Sequence, residues 1–162
     1  RWNLLEEEEQ VEAGKRSLNP KFFLSKDEQE NIVNAIKEVE KKSICEIRLH
    51  IAKKIKGDII EEAKKAFNAL KMYNTKERTG VLFFLAIKDR KFAVIGDEGI
   101  NRKVGENFWH NIAREMENYF LKNQFGEGIV YGIKEVGKIL EEYFPIKQGD
   151  VNELPDEISF DK

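Results

Sequence analysis

Two adjacent carboxylates bracketed by glycines, Gly96-Asp97-Glu98-Gly99, follow an apolar run beginning at Phe92 and precede Ile100-Asn101. Carboxylate oxygens are hard ligands of the kind that Ca²⁺ and Mg²⁺ take. Glycines permit a positive φ and close backbone approach. A helix starting near Ile100 and Asn101 would add unpaired N–H groups that attract anions. A cation bridging the acids to a phosphate, with Arg78 neutralising charge, is one chemistry this pattern supports. The other reading is structural. An Asp before a helix is commonly its N-cap, and glycines commonly mark turns. Two acids also fall short of the 6–8 oxygens typical of Ca²⁺.

Other residue types carry less. His50 and His110 each lack a second ligand at helical spacing. Ser25 and Ser43 have no evident His/Asp base, so the pattern contains no nucleophile triad. The single cysteine, Cys45, lies in an apolar run and reads as a small core residue. EF-hand, Walker and HExxH signatures are absent from the sequence.

The elements that position these residues show in the periodicity. Ser25 to Glu28 has capping-box spacing and opens a helix with Ile32, Val33, Ile36 and Val39 inward. Ser43 to Ile51 alternates, with Glu46, Arg48 and His50 on one face, which predicts a half-exposed or edge strand. Asp58 to Glu61 has capping-box spacing again, before a helix burying Ile60, Ala63, Phe67 and Leu70. Gly80 to Ile87 is apolar throughout and reads as a central strand. Lys88-Asp89-Arg90 turns the chain into a third strand, Lys91 to Ile95. Helices follow over 100–104, 106–122 and 128–143, the last ended by Pro145.

This order predicts an α/β fold, a three-layer αβα sandwich with a small mixed β-sheet of three or four strands. The first two strands run parallel and the third runs back. Asp97 and Glu98 therefore fall near the starts of the first two strands, beside Glu46 and the loop from Lys76 to Thr79. Glu46 joins Asp97 and Glu98 as a candidate metal ligand. Arg78, Thr79, Gly99 and Asn101 are the candidate anion or phosphate contacts. Asp89 sits at the far end of the hairpin, about 20 Å from Asp97, too distant to share an ion.

The chain has 162 residues, which suits one domain over 21–146 between a flexible N-terminal tail, 1–20, and an acidic C-terminal tail, 147–162. The first tail holds the run Glu6 to Glu9 and a short apolar turn at Trp2, Leu4 and Leu5. The second offers Leu154, Ile158 and Phe160 to the domain. Charged residues make up 36% of the chain but nearly cancel, at −2. A balance of that kind argues against a nucleic-acid partner. The longest apolar run, Val81 to Ile87, is too short to span a bilayer. A monomer is expected, with membrane association only through a segment outside this chain. The expected location is cytoplasmic, or a soluble domain of a membrane-tethered protein.

Three blocks, CEIRLHI, TKERTGVLFFLAIKDRKFAVIGDEGIN and FGEGIVYGIKEVGKILEEYFP, occur in an order that resembles the TPM domain family. The NELPDEI tail is similar to that of its stand-alone bacterial branch. The resemblance covers about Phe22 to Ile158. It implies an αβα sandwich and binding of a divalent cation, Ca²⁺ or Mg²⁺. For some chloroplast members it implies acid phosphatase activity and photosystem II repair; others are membrane-tethered accessory proteins. The family's commoner turn reads like Gly-Tyr-Gly-Leu-Glu, where this chain has Gly96-Asp97-Glu98-Gly99-Ile100. The acids are more numerous here, so cation binding is the leading expectation. The protein would then be an interaction or accessory module with an unidentified protein partner. The alternative is a metal-assisted acid phosphatase acting on phosphate monoesters, with no catalytic residue assigned.

Overall fold

A computed structural model describes residues 16–146 and 158–161. The run Glu6 to Glu9, the turn at Trp2, Leu4 and Leu5, and Leu154 lie outside the described residues. Four strands form one sheet in the order β3-β2-β1-β4. They are β1 (Glu46–Ala52), β2 (Gly80–Ala86), β3 (Lys91–Gly96) and β4 (Ser159–Phe160). β1 lies parallel to both β2 and β4, and β2 pairs antiparallel with β3. The helices are α1 (Pro20–Phe23), α2 (Lys26–Lys42), α3 (Ile59–Ala69), α4 (Glu98–Asn101), α5 (Glu106–Leu121) and α6 (Phe125–Tyr143). The fold is a mixed α/β sandwich, with α3 over one face of the sheet and α2, α5 and α6 over the other.

Local signals account for most boundaries. Ser25 and Glu28 complete a reciprocal capping box at α2. Asp58 caps α3, accepting from the Glu61 amide. All seven residues of β2 are buried, because helices cover both faces of this strand. The larger core gathers Ile32 and Ile36 of α2, Leu49 and Phe83 of the sheet, and Met116, Ile129 and Ile133 of α5 and α6. A smaller one packs Ala63 and Phe67 of α3 onto Leu82, Phe84 and Ala93.

Several expectations need correction. β1 is not an edge strand, because β4 pairs along His50 and Ile51. Its polar face is not solvated either: Glu46 is buried, and Arg48 and His50 are half-buried. Ile60 faces outward, and Ile59 packs toward the smaller core in its place. The helix expected over 100–104 instead spans Glu98–Asn101, capped by Asp97. α6 begins at Phe125, three residues before the expected start at Gly128.

Both segments read as tails contribute to the fold. Arg16 forms a two-pronged ion pair with Glu28, at 2.6 and 2.9 Å. It also donates to Asn123 and to the Phe23 carbonyl. Burial pushes the Glu28 carboxyl up. The bond from Arg16 and the backbone amides of Ser25 and Gly126 more than offset this and hold it below its ordinary value. At the other end, His50 Nδ1 lies 2.9 Å from Ser159 Oγ, and Nε2 lies 2.9 Å from Asp161 Oδ1.

Candidate functional site

The antiparallel register sets Gly96 against Val81, and the Asp97 amide donates to the Gly80 carbonyl at 2.9 Å. Asp97 therefore leaves β3 beside the first residue of β2. Its backbone is extended, and its carboxylate Oδ1 accepts from the Glu98 amide at 2.8 Å, as an N-cap does. Arg78 reaches the same carboxylate with two bonds, Nε to Oδ2 at 2.7 Å and an η nitrogen to Oδ1 at 3.0 Å. This is the bidentate geometry in which a guanidinium matches a carboxylate. Asp97 is only 7% exposed, whereas the Arg78 side chain is 41% exposed. The bond to Asp97 raises the guanidinium above its already high ordinary value.

Glu98 stands outward, 58% exposed, 3.5 Å from Arg78 and 3.4 Å from Arg102. The two glycines make room for close neighbours. A Cβ on Gly99 would overlap the Glu77 carbonyl oxygen and lie 2.6 Å from that of Arg78. A Cβ on Gly96 would lie 2.5 Å from the Trp109 ring. Arg78 itself adopts a left-handed backbone, φ 55°, which turns the loop into β2.

The structure brings Asp97, Glu98 and Arg78 together, and it leaves Glu46 apart. Glu46 pairs with Gly80, so Gly80 stands between it and Asp97 in the sheet. Two inter-strand spacings put their Cα atoms about 10 Å apart. The Phe67 ring and the Met72 carbonyl pack over Gly80 in between. Asp89 lies at the other end of the hairpin, where it accepts from the Ile55 amide.

The expected anion contacts are engaged within the fold. Thr79 is buried, its amide donating to Thr75 Oγ1 and its hydroxyl to the Ile44 carbonyl. The Gly99 amide donates to the Arg78 carbonyl at 2.9 Å. Asn101 bridges the Gly96 carbonyl and the Trp109 indole N–H. Among the described residues, no three or more His, Cys, Asp or Glu side chains form a group that could hold a metal ion. Asp97 and Glu98 would thus supply at most two carboxylates, and the ion would keep water ligands, which is the habit of Mg²⁺ more than of Ca²⁺.

A groove of about 790 Å³ opens beside this corner. It runs along β3 between Ile60, Lys64 and Phe67 of α3 and Trp109, His110 and Ala113 of α5. Arg78, Asp97 and Glu98 line one end of it. Trp109, which packs against the larger core, also forms a wall of this groove, a role that helical spacing does not reveal. The salt bridge between Arg78 and Asp97 was missed by sequence reasoning, although both residues lay on the expected rim. Among the described residues, no helix is long and apolar enough to cross a membrane.

Three comparisons with known proteins bear on the chain. The family model described as TPM domain matches residues 19–139. The NMR structure of BA42 protein from the psychrophilic bacterium Bizionia argentinensis is 40% identical, with a TM-score of 0.80. The match covers 86% of this chain and 96% of that one. The N-terminal domain of cg2496 protein from Corynebacterium glutamicum has a TM-score of 0.58 at 12% identity, covering 83% and 79%. At that identity it shows the fold alone. No curated protein matches the chain.

Proposed function

The chain belongs to the TPM domain family, and on that footing we propose that it is a divalent-cation-binding accessory module. Asp97 and Glu98 would hold Ca²⁺ or Mg²⁺. One observation carries this reading: the same two carboxylates already hold a cationic group, the partly exposed Arg78 guanidinium. An ion taking those oxygens would replace one positive charge by another, and would free Arg78 to face the groove. The exchange makes binding weak, because Asp97 must give up two charge-assisted bonds. The bound ion would present a new charge pattern to a protein partner. A nucleic-acid partner is not part of the proposal.

Titration with CaCl₂ or MgCl₂, followed by amide NMR, tests this. Shifts are expected over Gly96 to Asn101 and at the Arg78 Nε–H. Asp97→Asn should lose them, and Arg78→Ala should tighten binding by removing the competitor. Absence of shifts at this corner, or an affinity indifferent to Arg78→Ala, would sink the proposal.

The second reading is a metal-assisted acid phosphatase acting on phosphate monoesters. It is favoured by the groove beside Arg78, where the freed guanidinium would hold a phosphate oxygen. The ion would supply charge stabilisation. Hydrolysis of p-nitrophenyl phosphate with and without MgCl₂ decides it. Activity that survives both Asp97→Asn and Arg78→Ala unchanged belongs to another site or to a contaminant.

A further inference from the structure

The groove follows the outer edge of β3. In the described sheet β3 pairs only with β2, so its other side has no strand beside it. The Asp97 amide bonds to β2, and the alternation of an antiparallel ladder then turns the N–H and C=O of Val94 outward. Such an edge is a template for another strand. We propose that the strand is β3 of a second copy of this chain, paired antiparallel about Val94.

The sequence of β3 is complementary to itself in that register. Val94 meets Val94 in a hydrogen-bonded pair, so each copy donates one N–H and accepts one. Phe92 falls opposite Gly96, a position where no side chain fits because Trp109 fills the space. Lys91, which is exposed, falls opposite Asp97 and beside Glu98 of the other copy. Opposite charges at facing positions stabilise a strand pair. The groove walls supply further contact: Ile60 is 41% exposed on α3 and would meet the second copy across the two-fold axis.

The pairing is limited at both ends, because Asn101 of each copy already holds its own Gly96 carbonyl. A six-residue strand alone falls short of the roughly 800 Å² per partner of a stable interface, so the dimer would be weak and concentration-dependent. It would also bring a second cation, Lys91, to the Asp97–Glu98 corner. The inference stands on the edge and its register, independently of cation binding, and departs from the monomer that the sequence suggests.

Sedimentation equilibrium of the full chain in EDTA, from micromolar to millimolar, provides the test. A monomer–dimer equilibrium is expected. Val94→Pro removes an outward N–H without touching the ladder to β2, and should leave a folded monomer. Lys91→Glu should weaken association by about tenfold or more, and adding Glu98→Lys should restore it. A chain that stays monomeric to millimolar concentration, or a dimer unaffected by Lys91→Glu, overturns the proposal. The charge pair keeps the test decisive even if the proline variant misfolds.

Discussion

The two glycines of the carboxylate corner differ in what they face, and that difference yields a measurable order of stability. A methyl group on Gly99 would collide with two backbone carbonyl oxygens, those of Glu77 and Arg78. Neither can move without shifting the loop that feeds β2. The Gly99 amide would also lose its 2.9 Å bond to the Arg78 carbonyl. Overpacking costs about 1–3 kcal/mol, and the lost bond adds about 1 kcal/mol, giving roughly 2–4 kcal/mol for Gly99→Ala. A methyl on Gly96 overlaps the Trp109 ring and otherwise only touches the Ile100 side chain, at 3.4 Å. The Trp109 ring can tilt, at the expense of its indole bond to Asn101, so Gly96→Ala should cost about 1–2 kcal/mol. In a chain of this size 1 kcal/mol moves the melting temperature by about 2–4 °C. Thermal melts of both variants should show Gly99→Ala lower by roughly 4–16 °C and Gly96→Ala lower by less. A Gly99→Ala protein that melts like the parent, or the reverse order of the two, would refute the packing described here.

Three further outcomes follow from the same structure. Cys45 is 1% exposed and burial pushes its thiol up to about 12, so it should resist DTNB in the native protein and react only on unfolding. Arg16→Ala should destabilise the fold by about 2–3 kcal/mol in urea titrations at neutral pH. Because Glu28 is held below its ordinary value, that loss is fully present above the usual glutamate range and fades as pH falls through it. His50→Ala removes the ring that contacts Ser159 and Asp161, and hydrogen exchange of the Asp161 amide, bonded to the Ile51 carbonyl, should quicken.

Much of the architecture was written locally. The capping box at Ser25 and Glu28 and the tight turn through Asp89 follow from contacts within a few residues, and the unbroken apolar run of β2 announces its burial. Alternation placed Glu46, Arg48 and His50 on one face, but it could not say what covers that face. β4, from more than a hundred residues downstream, bonds to His50, and Glu46 is buried, so a polar face expected in water is partly enclosed. Arg16 looked like tail because its partners, Glu28 and Asn123, lie 12 and 107 residues away.

The sequence by itself determined the fold class, and it placed Asp97, Glu98 and Arg78 on one rim, because strand direction alone fixes which ends meet. Tertiary structure decided what those residues do for one another. The left-handed turn at Arg78 brings its guanidinium onto Asp97 across 19 residues, and the α4 corner engages the donors of Thr79, Gly99 and Asn101. Such commitments depend on where separate loops pack, which no local period encodes. The same packing gave Glu46 a place behind Gly80, in the row of Asp97 but out of its reach.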